Sequence, residues 1–173
     1  MSVERMGVMN AVKYFCSMVL VFILGVATGV FSILRIKFKS QTDQNIDQIT
    51  RNLNLVNQWL IIKMKGISLS GFLLKNNIKS IAIYGMGIYG RHLVRELLHD
   101  QIEICYGIDQ KKMQPYMGVN VVQPVPELPK VDLIVNSVIY VHEEIRHELN
   151  QICKWPVISL EDLVFGSYEN EKG

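Results

Sequence analysis

The sequence predicts an α/β fold: a small parallel sheet flanked by helices, preceded by one N-terminal transmembrane helix and an amphipathic connecting helix. Three observations carry this. From Lys79 onward, short β-branched runs alternate with helical stretches, and strands separated by helices pair in parallel. A glycine-rich turn, residues 85–90, stands between the first strand and the first helix of that alternation. Upstream, 21 consecutive uncharged residues run from Tyr14 to Leu34. The expected segments are a tail 1–13, the membrane helix 14–34, a helical connector 35–78, the α/β domain 79–166 and a polar tail 167–173.

The uncharged run reaches roughly 30 Å as a helix, the thickness of a hydrocarbon core. It raises the mean hydropathy of the chain to +0.19. Lys13 precedes it, and Arg35, Lys37 and Lys39 follow. Gly25-Val26-Ala27 offers a small-residue cleavage site, but apolar sequence continues beyond it to a basic stop, as in a retained helix. The Lys/Arg excess at the C-terminal end places the following domain in the cytoplasm, single-pass. Gly25 and Gly29 would let two such helices approach closely. A formal net charge of only +2, without a long basic run, excludes a nucleic-acid-binding tail. Three scattered cysteines, Cys16, Cys105 and Cys153, form no pair and fit a reducing compartment.

In the connector, Ile46, Ile49, Leu53, Val56 and Leu60 recur at spacings of 3, 4, 3 and 4. That places an apolar stripe on one helix face. The stripe is expected to pack on its own domain; a homodimer through the membrane helix and residues 46–60 is the other reading. Asp43 or Asn45 suits the helix start, Trp59 reads as a packing residue, and Gly66 ends the helix. A second short helix, about Ser68 to Lys75, stops at Asn76-Asn77.

Ser80 to Tyr84 reads as a buried strand. Gly85-Met86-Gly87-Ile88-Tyr89-Gly90 follows at once, and Arg91 to His99 then carries Leu93, Leu97 and Leu98 at helical spacing. Ile102 to Ile108 forms a second strand that ends at Asp109, 19 residues after Gly90. Strand, glycine turn, helix, strand and acid in this order make up the Rossmann-type nucleotide-binding unit. The first glycine permits the tight turn, the second lets the backbone approach a phosphate, and the third lets helix and strand pack closely. The helix N-terminus offers N–H groups to an anion. A carboxylate at Asp109 would accept ribose hydroxyls and disfavour a 2′-phosphate, although Lys111 and Lys112 weaken that preference. NAD or a nucleoside-diphosphate sugar is the expected ligand.

Val119 to Val122 reads as a short strand, and residues 124–129 as a proline-stiffened connector. Val131 to Val138 is a further strand, Tyr140 to Cys153 a helix, Val157 to Leu160 the last strand and Glu161 to Val164 a final turn. Ligands in such sheets sit beyond the carboxyl ends of the strands. That edge adds Asn136 and Ser137 to the candidate site.

Three blocks carry a resemblance: Asn57 to Leu60 leading into Ile81 to Leu97, then Tyr106 to Asp109, then Pro156 to Asp162. Together they resemble small Rossmann-like, nucleoside-diphosphate-sugar epimerase-like domains of bacterial capsule and exopolysaccharide clusters. They are also similar to the nucleotide-binding module of membrane-bound sugar epimerase/dehydratases. The resemblance covers roughly residues 55–165. It implies a nucleotide or nucleotide-sugar ligand, a plasma-membrane setting, and a glycosyltransferase or other polysaccharide-synthesis enzyme as partner. It also implies that Gly85, Gly87 and Gly90 hold phosphates and Asp109 the ribose.

Short-chain epimerases and dehydratases work with a Tyr-x-x-x-Lys pair. Here that spacing occurs only at Tyr168 and Lys172, in the expected polar tail, and is read as chance. His92, His99, His142 and His147 show no zinc spacing, and no GxSxG elbow occurs. The α/β part also leaves no room for a second, substrate-binding lobe, so a bound nucleotide would present one open side to a partner. The reading is therefore a membrane-anchored binding module, not catalytic alone. The alternatives are an NAD-dependent nucleotide-sugar epimerase or reductase completed by oligomerisation, and a membrane adaptor that binds nothing.

Overall fold

The computed structural model describes residues 43–169 without a break, together with Met18, Gly25, Arg35, Lys37 and Lys39, all helical. The expected membrane helix 14–34 lies outside the described residues except at Met18 and Gly25, as do residues 1–13 and 170–173. Among the described residues, no helix is long and apolar enough to cross a membrane. The chain divides into two compact units, Met1–Gln48 and Ile49–Gly173; the second contains the sheet.

Helix α1 covers residues 43–64 and ends in a turn at Gly66, whose φ of +71° favours glycine. Helix α2 (Leu69–Lys75) begins at Ser68, whose hydroxyl accepts from the Gly71 N–H at 3.1 Å. It closes at Asn76, followed by Asn77 in the left-handed region. The sheet then alternates with helices: β1 (Ser80–Tyr84), α3 (Ile88–Leu97), β2 (Glu103–Ile108), β3 (Val121–Val122), β4 (Leu133–Asn136), α4 (His142–Ile152), β5 (Val157–Ser159) and α5 (Leu160–Glu169). The strands run parallel in the order β3-β2-β1-β4-β5. That is the doubly wound Rossmann order through its fifth strand, among the described residues. It reverses direction between β1 and β4, where a crevice opens at the carboxyl edge.

The sheet separates two apolar cores. On one face, Ile81, Ile83, Leu133 and Val135 cluster with Leu55, Trp59 and Ile62 of α1, Leu69 and Leu73 of α2, Leu93 and Leu97 of α3, and Leu163 and Val164 of α5. On the other, Ala82, Tyr84, Tyr106, Ile108 and Ile134 cluster with Ile145 and Leu149 of α4 and with Leu128 and Val131 of the connector. Alternate residues of each strand serve opposite faces, as the pleat requires.

Three expectations differ from the structure. The stripe Ile46, Ile49, Leu53, Val56 and Leu60 is exposed at all five positions, and within the second unit α1 buries Leu55, Trp59 and Ile62 instead. The indole of Trp59 sets this rotation, donating to Glu96 Oε2 of α3 at 2.6 Å. The strand expected from Val119 shrinks to Val121–Val122, because a turn through Met117 and Gly118, both at positive φ, pairs Val119 back onto Tyr116. The final turn is a ten-residue helix reaching Glu169. Tyr168, placed by sequence in a polar tail, packs against the core from that helix. Its hydroxyl accepts from Lys65 Nζ at 3.2 Å.

Candidate functional site

The glycine loop joins β1 to α3 at the carboxyl edge of the sheet. Gly85 has φ +84°, and a Cβ there would lie 2.6 Å from Val138 Cγ2, so only glycine fits. Its N–H donates to the Ile108 carbonyl at 2.8 Å. A Cβ on Gly90 would collide with the Gly85 carbonyl, so this glycine sets how closely α3 packs on the loop. Gly87 differs from both. It caps α3 with ordinary φ, and a Cβ added there would meet nothing within 4 Å. The second glycine therefore faces open space, and no side chain caps the helix. The first N–H groups of α3 have no intrahelical carbonyls to bond and carry the positive end of the helix dipole.

The other loop residues divide by direction. Met86 is fully buried, its sulfur lying against Gly107 of β2, so only its backbone remains for the loop. Its N–H donates to Asp109 Oδ2 at 2.9 Å. Arg91 Nε donates to the Met86 carbonyl at 3.1 Å. Ile88 is exposed, and Tyr89 is half-buried beside Trp59 in a groove between α1 and α3, away from the sheet edge.

Asp109 stands at the tip of β2, half-buried. Besides the Met86 amide, it accepts from the Lys111 N–H at 2.9 Å through Oδ1. Each oxygen has a further lone pair for a ligand hydroxyl. Asn136 and Ser137, at the end of β4, act on the loops. Ser137 Oγ donates to the Gly85 carbonyl, fastening the glycine turn to β4. Asn136 is fully buried. Its Oδ1 accepts from the Val138 N–H at 2.9 Å, and its Nδ2 meets His142 Nδ1 at 3.1 Å.

A cavity of about 430 Å³ opens beside this loop, lined by Tyr84, Gly85, Asp109, Gln110, Val138 and Ile145 among others. Lys111 and the α4 carboxylates Glu144 and Glu148 complete its rim. Sequence reasoning missed Tyr84, Gln110 and this acidic pair. The signal was present: Glu144 and Glu148 are four apart on a helix that follows β4 directly, so they share one face. Burial raises the Tyr84 phenol above its usual value. The Gln110 hydrogen bond offsets part of this rise, and the Glu148 and Asp109 charges add to it. Tyr84 therefore keeps its phenol protonated at neutral pH and offers the cavity a neutral hydrogen-bonding group. Among the described residues, no group of three His, Cys, Asp or Glu is arranged to hold a metal ion.

The cavity and the loop differ in electrostatic character. Three carboxylates against one lysine favour hydroxyl donors and disfavour a phosphate within the cavity. The adjoining α3 N-terminus favours an anion. The carboxylate-rimmed cavity and the uncapped helix N-terminus thus lie side by side at the carboxyl edge of the sheet.

No known family's sequence profile matches this chain, and no curated protein matches it. Among solved structures, it is similar to the UDP-D-quinovosamine 4-dehydrogenase of Vibrio fischeri. The identity is 20% and the TM-score 0.38, over 51% of this chain and 85% of that one. By its own strand order and loop, the domain is a Rossmann-like α/β fold with a cavity at its topological switch point.

Proposed function

We propose that this chain is a membrane-anchored module that binds a nucleotide or nucleotide sugar, not catalytic alone, in bacterial surface polysaccharide synthesis. One observation carries the binding reading. The open space at Gly87, at an uncapped helix N-terminus, adjoins a cavity edged by Asp109. A nucleoside would occupy the cavity with its ribose hydroxyls on Asp109, and its phosphates would meet the α3 amides. NAD and nucleoside-diphosphate sugars both have that shape. The anchor is supported by the uncharged run Tyr14 to Leu34. The polysaccharide setting, with a glycosyltransferase or similar enzyme as partner, is supported by the resemblance of the three sequence blocks. The non-catalytic reading is supported by the absence of a Tyr-x-x-x-Lys pair within residues 79–166.

The test is thermal unfolding of the purified protein with NAD, NADP, UDP-sugars, ATP or CoA. A ligand at 100 times its Kd should add about 2.7 kcal/mol. Gly87→Asp brings a carboxylate to the helix N-terminus where the phosphate would sit, and its Cβ would meet nothing within 4 Å. It should fold as the parent does and lose the ligand shift. A parent that responds to none of these ligands ends the proposal. A shift that survives Gly87→Asp moves the phosphate site elsewhere, and turnover of NAD by the protein would overturn the non-catalytic reading.

A further inference from the structure

Helix α1 has two apolar faces, and the domain uses one. Leu55, Trp59 and Ile62 are buried against the sheet core. The second face is exposed: Ile49 at 66%, Leu53 at 66%, Val56 at 46% and Leu60 at 57%. Its spacing is a strict 3.5-residue repeat, narrower than the broad stripe a helix turns toward a globular core. That repeat keeps a seam continuous along another helix of the same repeat.

We propose that this face pairs with α1 of a second copy of the chain, in parallel and in register. The sequence beside the seam fits a self-pairing. In the heptad that puts Leu53 and Leu60 at a and Val56 at d, the flanking e and g positions are Thr50, Asn52, Asn57 and Trp59, the last turned onto its own domain. None is charged, so a symmetric pair sets no like charges opposite each other. Lys63, at the next d position, turns away into an ion pair with Glu96 Oε1 at 3.0 Å, which ends the seam at Leu60. Val56 and Leu60 also wall the groove shared with Ile88 of α3, a recess continuous with the seam that can receive side chains of the second copy. Two heptads alone make a marginal coiled coil, so the association is weak and reversible. It does not depend on nucleotide binding.

The test is oxidative cross-linking of the full chain in detergent, with Cys16, Cys105 and Cys153 changed to Ala and single cysteines introduced. Leu53→Cys and Val56→Cys should give covalent dimers, and Asn54→Cys, one position off the seam, should not. Adding Leu60→Glu should abolish those dimers while leaving the melting temperature unchanged, because Leu60 is exposed. The proposal fails if positions 53 and 56 give no dimer, as when another segment or a lipid surface covers the stripe. Equal yield at position 54 overturns it as well. So does a Leu60→Glu variant that keeps its cross-links, or one that melts lower while keeping them.

Discussion

The two faces of the sheet differ in what covers them and in what that cover leaves open. One face is aliphatic along β1 and β4 and lies under α1, α2, α3 and α5. The other carries Tyr84 and Tyr106 and, among the described residues, lies under a single helix, α4, with the connector at its margin. On the deep face, side chains interlock and leave little to adjust. On the shallow face, polar ends reach outward: the Tyr106 hydroxyl donates to the Pro129 carbonyl at 2.6 Å, and the Trp155 indole to the Leu128 carbonyl at 3.4 Å. The gap that α4 does not fill is the cavity beside Tyr84. Cohesion is concentrated on one side, and the candidate site on the other.

The largest effect should come from the deep face. Leu97→Ala, at a fully buried position of α3, should cost about 2–5 kcal/mol. Ile145→Ala on α4 should cost less, because thinner cover can collapse around the missing atoms. Urea unfolding of both variants checks this, and the reverse order would break the comparison. Next comes Gly90→Ala, at the junction of the faces. Crowding of the Gly85 carbonyl should cost about 1–3 kcal/mol and weaken ligand binding, unlike Gly87→Asp, which should affect binding alone. Paired melting curves with and without ligand separate the two. Tyr106→Phe should cost about 1 kcal/mol through loss of its bond to Pro129. It should also remove an alkaline titration, since burial pushes this phenol up to about 12.

The smallest effect is at Asp132, at the start of the β4 segment. Hydrogen bonds from the Lys79 and Ser80 amides hold its carboxyl below the ordinary 3.8. A lowered folded-state value means that its contribution is present above the ordinary Asp range. It is lost as acid passes through the lowered value. Asp132→Asn should therefore flatten the acid limb of stability, which a series of urea midpoints against pH would show.

Much of the sheet was legible because its signals are local. The run from Ser80 through Gly90 to Asp109 reads directly as strand, turn, helix, strand and acid. The errors arose where a tertiary partner decides. Nothing in α1 alone says which of its two apolar faces meets the domain; Glu96, 37 residues away from Trp59, decides it. The last helix was cut short although its start is written in the sequence. Ser159 Oγ accepts from the Asp162 N–H at 2.9 Å, and Asp162 Oδ2 accepts from the Ser159 N–H at 3.3 Å, the S-x-x-D form of a capping box. Within the candidate site, Gly85, Gly90 and Asp109 were legible from spacing. The inward turn of Met86 was not, because the bare Gly107 across the sheet makes the room for it.

The register of β1 has a consequence for how the chain reaches this state. Its central strand pairs with β2 through Ile81 and Ile104, and with β4 through Ile81 and Leu133. During synthesis the first partner follows soon, while the second emerges only after the proline connector has been made. Until then one edge of an Ile-Ala-Ile strand stands open, the kind of edge on which nascent chains aggregate. The β1–β4 pairing is far more distant in sequence than β1–β2, so it carries the larger loop-closure cost in forming the sheet.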